Sequence, residues 1–82
     1  MEVEHPMKTI EEIQEEYPTA YIFTTEEFAE LMEPDEDGFS EIEFVDSFGY
    51  FHDGEELTEI PVDPYTFEEY REKYPYVVWR KV

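Results

Sequence analysis

Carboxylates are the groups through which this chain could do chemistry, and they recur at spacings that align them. Glu11 stands four residues from Glu15, and Glu12 four from Glu16. Glu26, Glu27 and Glu30 follow, then Asp35, Glu36 and Asp37, then Glu41 and Glu43, two residues apart. On a helix, residues four apart lie about 5–6 Å from each other, and alternate strand residues lie about 6.6 Å apart. Both intervals are close to the phosphate spacing along a nucleic-acid strand. The chemistry indicated is electrostatic: these twelve side chains would stand in for phosphates on the basic surface of a partner protein.

Other chemistries lack their groups. General acid-base catalysis needs an imidazole or a carboxylate pair with divided pKa values. His5 and His52 are the two histidines, and the chain has no cysteine. His5 lies near the start of the sequence and His52 flanks a turn, so both are read as structural or exposed. A chain of 82 residues also leaves little room for a buried pocket. No catalytic residue is assigned and no enzyme activity is expected. Residues 33–41 carry acids at the first, third, fifth and ninth positions of a calcium-loop pattern, with Gly38 at the sixth. The twelfth position is Phe44, where an EF-hand needs a bidentate Glu, so no metal site and no cofactor are assigned.

Charge sets the partner class. The chain holds 24 acidic and five basic side chains, a net charge of −19, which repels nucleic acid and anionic membranes alike. Direct binding to either is not expected. The charge is also localised: residues 1–63 carry 21 acids and one Lys, whereas residues 64–82 carry three acids and four bases. Adaptation of a whole surface to salt would spread the acid evenly. Seven Tyr, seven Phe and one Trp supply an aromatic core that disordered acidic tails lack. The first residues carry acid where a secretion signal carries base, and no apolar run reaches the ~18 residues of a membrane span. The reading is a cytoplasmic protein.

The elements that must position these groups are written twice. Thr9–Pro18 matches Thr66–Pro75 at an offset of 57 residues, and both copies run into β-prone residues, Ala20–Phe23 and Val77–Trp79. Each copy has Thr with Glu three residues on, a capping-box signature, then apolar residues at helical spacing (Ile10, Ile13, Tyr17; Phe67, Tyr70, Tyr74) and a terminating Pro. Thr24 with Glu27 opens a third helix, carrying Phe28, Leu31 and Met32 on one face. Between the copies, Glu41–Phe44 alternates at strand period, Gly49 marks a bulge or second turn, and Asp53–Gly54 marks a hairpin turn. The result is an α+β fold, one domain over residues 1–82. Its sheet is mainly antiparallel, with about three helices and repeat units at about 9–23 and 66–80, related in one arrangement by an approximate two-fold axis.

The repeat supplies an internal control. The second copy places Glu69 and Lys73 at i, i+4, a favourable pair, where the first places Glu12 and Glu16. The first helix therefore accepts like-charge spacings that the scaffold does not require. A domain about 30 Å across also spans a length of duplex carrying roughly 18 phosphates, the same order as the net charge.

In size, charge, aromatic content and absence of cysteine, the chain resembles the acidic DNA-mimic inhibitors of the phage-encoded type. That resemblance implies a host target: a nucleoid protein such as HU, RNA polymerase, or a nuclease, met in the host cytoplasm. These inhibitors share no one fold and no motif, so no residue role is carried over. Two alternatives stand beside it: an immunity or antitoxin-type protein that plugs a nuclease active site, and an acidic adaptor docking through exposed aromatics. Among Phe39, Phe48, Tyr50 and Phe51, Phe48 and Tyr50 are the candidate anchors for a partner or a homodimer.

Overall fold

The computed structural model describes residues 8–42 and 46–81. Three helices, α1 (Ile10–Glu16), α2 (Thr25–Met32) and α3 (Pro64–Tyr70), accompany four strands, β1 (Tyr21–Thr24), β2 (Ser47–His52), β3 (Leu57–Pro61) and β4 (Tyr76–Lys81). The strands form one antiparallel sheet in the order β1-β4-β2-β3, an α+β architecture as the sequence pattern predicts.

Local chemistry starts each helix. Thr9 caps α1 by accepting from the Glu12 N–H while the Glu12 carboxylate accepts from the Thr9 N–H, a full capping box. Thr24 caps α2 in the same sense through the Glu27 N–H. The third start departs from expectation. Asp63, not Thr66, caps α3, accepting from the Tyr65 and Thr66 N–H groups, and the Thr66 hydroxyl oxygen accepts in turn from the Asp63 N–H. Pro64 occupies the first turn, where its fixed φ and missing N–H cost nothing, and this moves the start three residues upstream of the repeat pattern.

The strand predicted at Glu41–Phe44 is also displaced. Glu41 and Ile42 lie in a bend, Glu43 and Phe44 fall outside the described residues, and the strand begins at Ser47. Gly49 is neither bulge nor turn; it lies inside β2, opposite Trp79. A Cβ there would collide with the Trp79 ring and lie 2.9 Å from the Val78 carbonyl oxygen. The register irregularity sits one step further, where three residues of β3 lie against one of β2 between the Tyr50–Pro61 and His52–Leu57 pairs. The hairpin turn falls as predicted: Asp53 accepts from the Glu55 and Glu56 N–H groups, and Gly54 takes a φ of 99°.

The repeat survives in three dimensions with a twist in its logic. In each unit the helix covers matching strand residues: α1 packs toward Ala20 and Ile22, α3 toward Val77 and Trp79. β1 and β4 then pair with Tyr21 opposite Trp79 and Ile22 opposite Val78. Directly paired residues share a face, and neighbours along a strand alternate. Ile22 therefore shares a face with Val78, while its repeat equivalent, Trp79, lies on the other. The two units stand on opposite faces of the sheet, which excludes a two-fold axis perpendicular to it.

One face, called the front, buries Phe28, Phe51, Phe67, Val77 and Trp79 beneath α2 and α3, with ring centroids 5.0–6.1 Å apart among Phe28, Phe67, Trp79 and Phe51. Buried rings at these separations dominate the core energetics. The back face holds the smaller cluster of Ile13, Ala20 and Val78, supported by Tyr17, Ile22, Leu57 and Tyr76.

Candidate acidic and aromatic interface

All eleven described candidate carboxylates are exposed; Glu43 lies outside the described residues. Their placement follows from the two-faced sheet. Glu11, Glu12, Glu15 and Glu16 are carried by α1 over the back face. Glu26, Glu27 and Glu30 are carried by α2 over the front, continued by Asp35, Glu36, Asp37 and Glu41 in the following loop. The sequence pattern suggests one acidic surface; the fold divides it into two ridges flanking the β1 edge. Packed layers lie about 10 Å apart, so ridges on either side of one sheet stand about 20 Å apart.

The ridges contain two kinds of acid. Glu12 completes the α1 capping box, Glu16 meets the Lys8 ammonium at 2.8 Å, and Glu27 accepts from the Thr24 hydroxyl. Asp35 closes its loop by accepting from the Asp37 and Phe39 N–H groups. These four have work inside the fold. The carboxylates of Glu11, Glu15, Glu26, Glu30, Glu36, Asp37 and Glu41 have no hydrogen-bond or ion-pair partner among the described residues.

The cations are engaged elsewhere. The predicted Glu69–Lys73 pair does not form, because α3 ends at Tyr70 and the Lys73 ammonium lies 5.5 Å from the centre of the Tyr70 ring. Arg71 lies over the Phe67 ring and 3.5 Å from Glu68. Arg80 stacks on Tyr17 at 5.6 Å. Lys8, the one basic residue placed among the acids of α1, is held above its ordinary pKa by its hydrogen bond to Glu16.

Phe48 and Tyr50 come together on the back face, in an edge-on contact 6.4 Å between centroids. A seven-residue helix cannot cover a four-stranded sheet, and beside α1 an apolar cleft of about 240 Å³ remains, lined by Tyr17, Phe48, Tyr50, Leu57, Val78 and Arg80. Phe48 is 44% exposed. Sequence reasoning missed the cleft's other walls, Tyr17, Leu57 and Arg80. The signal was the period-two run Phe48, Tyr50, His52 along β2. Phe51 points the opposite way and is fully buried, whereas Phe39 is exposed.

His52 is not exposed. It is fully buried at the end of β2, where its Nδ1 accepts from the Gly54 N–H at 2.9 Å and its ring meets Tyr17 edge-on. Nδ1 as acceptor places the proton on Nε2, which has no hydrogen-bond partner. Desolvation holds this imidazole below its ordinary pKa of 6.5, against the nearby Asp53 carboxylate, which acts in the opposite direction.

Among the described residues, no group of three or more His, Asp or Glu side chains is arranged to hold a metal ion, and no helix is long and apolar enough to cross a membrane. No family model matches the chain, and comparison with curated proteins and with solved structures finds no match.

Proposed function

We propose that this protein is a DNA-mimic inhibitor, which binds the basic DNA-contacting surface of a cytoplasmic protein and competes with nucleic acid for it. One observation carries the reading: of the eleven described candidate carboxylates, Glu16 alone meets a cation, while Arg71, Lys73 and Arg80 are engaged with aromatic rings. A fold that needed its acids for stability would pair them with these cations. Left unpaired and exposed, they produce the summed negative field that steers association with a basic partner. The two ridges on either side of one sheet support duplex mimicry, since the backbones of a duplex also flank a common stack.

The test is competition with labelled duplex DNA for a basic nucleoid protein such as HU. The informative variant reverses Glu11 and Glu15, which have no partner in the fold, rather than Glu12 and Glu16, whose loss would also remove a cap and the Lys8 contact. Glu11→Lys with Glu15→Lys is expected to weaken competition about tenfold at low salt, where screening is least. Glu69→Lys on α3 with Glu72→Lys in the turn that follows it should change it less than about twofold, as rim charges far from a contact do. Displacement no greater than that given by polyglutamate of equal charge overturns the proposal.

A further inference from the structure

The sheet has two edges, and they are built differently. β3 is guarded as exposed edges usually are: it is interrupted by the register shift, carries exposed Glu59 and ends at Pro61. β1 has no charge, no proline and a regular register. Its hydrogen-bond phase follows from one contact: the Thr25 N–H donates to the Pro75 carbonyl at 3.0 Å, one step beyond the Thr24–Tyr76 pair. Antiparallel pairs alternate between bonded and unbonded, so Tyr21 and Phe23 bond β4, while Ile22 and Thr24 turn their backbone groups outward. The Ala20 carbonyl is taken by the Gln14 amide, and the Thr24 carbonyl by the first turn of α2, as at any N-cap. The Ile22 N–H and C=O and the Thr24 N–H remain, with no partner among the described residues.

The side chains beside this edge suit one kind of strand. On the front, Tyr21 is exposed and stacks with Phe23 at 6.4 Å between ring centroids. A guanidinium or ammonium can lie on such rings, as Arg71, Lys73 and Arg80 do on others of this protein. Glu41 lines the cleft beside these two rings; Lys81, also in its lining, is already partnered. On the back, the Gln14 bond to Ala20 turns that side of α1 toward β1. Glu11, three residues before Gln14, shares that side, with Glu15 one turn on in the same row. A strand added to β1 alternates its side chains between these two faces, so Lys and Arg suit it on both. A second copy of this chain does not, because β1 against β1 sets two chains of net charge −19 edge to edge. We infer that the β1 edge binds a basic extended strand of a partner protein by strand addition. This rests on the DNA-mimic reading and narrows its partner to proteins that read DNA with a β-ribbon. Such a ribbon enters the groove between two phosphate backbones, as the added strand enters between two acidic ridges.

Amide hydrogen exchange and a binding titration test it together. The probe is a ribbon-reading repressor of the Arc or MetJ type, and a helix-turn-helix domain of similar charge is the control. Exchange at the Ile22 and Thr24 amides is expected to slow at least about tenfold when the ribbon protein binds. Ile22→Pro deletes the outward N–H without removing a β1–β4 bond, and edge strands accept proline at such positions. It should weaken ribbon binding about tenfold, the scale of one lost hydrogen bond whose acceptor is left unpaired, and change control binding less than about twofold. Tyr21→Lys, at a position 59% exposed, should weaken ribbon binding about threefold through charge alone. Circular dichroism and urea midpoints verify that both variants fold. Ribbon binding that leaves both amides unprotected or is indifferent to Tyr21→Lys overturns the inference, as does binding of the control alone. Protection of the same amides by self-association, which sedimentation of the protein alone detects, overturns it as well. In each of these cases the DNA-mimic reading stands. If neither basic protein binds, that reading itself fails.

Discussion

The units α1–β1 and α3–β4 repeat a sequence pattern and an internal packing, yet differ in what their charges do. In α3–β4, Arg71, Lys73 and Arg80 lie on Phe67, Tyr70 and Tyr17, and Glu68 is paired with Arg71, the C-cap of its own helix. In α1–β1 four glutamates face solvent on seven helical residues, and one of them is neutralised. The same helix-on-strand unit therefore folds with or without an acidic load. The load is separable from the scaffold, and its cost in like-charge spacing is confined to the helix that covers the smaller core.

The most severe way to break this comparison is to hollow out each core. Phe67→Ala is expected to destabilise the domain by about 3–5 kcal/mol, and Ile13→Ala by the lower part of the ~2–5 kcal/mol range, because the half-covered back face can collapse more readily. Urea unfolding reads both. An Ile13 loss equal to that of Phe67 would make α1 as integral as α3 and end the distinction.

A smaller effect comes from pH and belongs to the α1 side. His52 has a folded pKa below its ordinary 6.5, so the unfolded chain binds more protons between the two values and stability falls as protons are added. The contribution is fully present above about pH 6.5 and is lost progressively as pH falls toward the folded value, by up to about 1.4 kcal/mol per pH unit. Urea midpoints at pH 7.5 and 5.5 should show this decline, and His52→Gln should abolish it, with His5 retained as the background. A decline that survives the substitution would place the titrating group elsewhere.

The caps sharpen the comparison most finely. Thr9→Ala and Asp63→Ala should each cost about 1 kcal/mol at neutral pH. They part in acid. Backbone N–H donors from Thr66 and Tyr65 hold the Asp63 carboxyl below its ordinary pKa of 3.8, so its contribution is present above that value and lost as pH falls through the lower folded value. The Thr9 hydroxyl does not titrate, so its own bond from the Glu12 N–H has no such dependence. Chemical denaturation at pH 7 and pH 3 separates the two, and equal losses at pH 3 would count against a charged cap on α3.

Much of this fold is legible in the sequence, because short-range chemistry writes it: the Thr9 capping box, the Thr24 cap, the Asp53–Gly54 turn, and the helix-to-strand order of each unit. The failures have physical causes. β2 lies in the sheet interior and is apolar on both sides, with Phe48, Tyr50 and His52 toward the back and Gly49 and Phe51 toward the front. It therefore lacks the polar alternation that made Glu41–Phe44 look like a strand. Two capping residues compete at α3, and Pro64 decides between them. At the candidate interface, the exposure of the acids follows from composition, but their division between two faces depends on the β1–β4 register, which no local pattern encodes. The cleft was half legible: Phe48 and Tyr50 could be named, but not the helix too short to cover them.

The position of β4 has a consequence for biosynthesis. It lies between β1 and β2, although it follows both in sequence, so neither strand has its inner neighbour until Tyr76–Lys81 has been made. The first 70 or so residues emerge as a chain that cannot close its sheet, with Phe28 and Phe51 still waiting for Trp79 and Val77. Long-range pairing of this kind is slow and exposes apolar surface in the interim. Mutual repulsion of the acids keeps such nascent chains apart, so the charge protects the protein before there is a folded surface to display it.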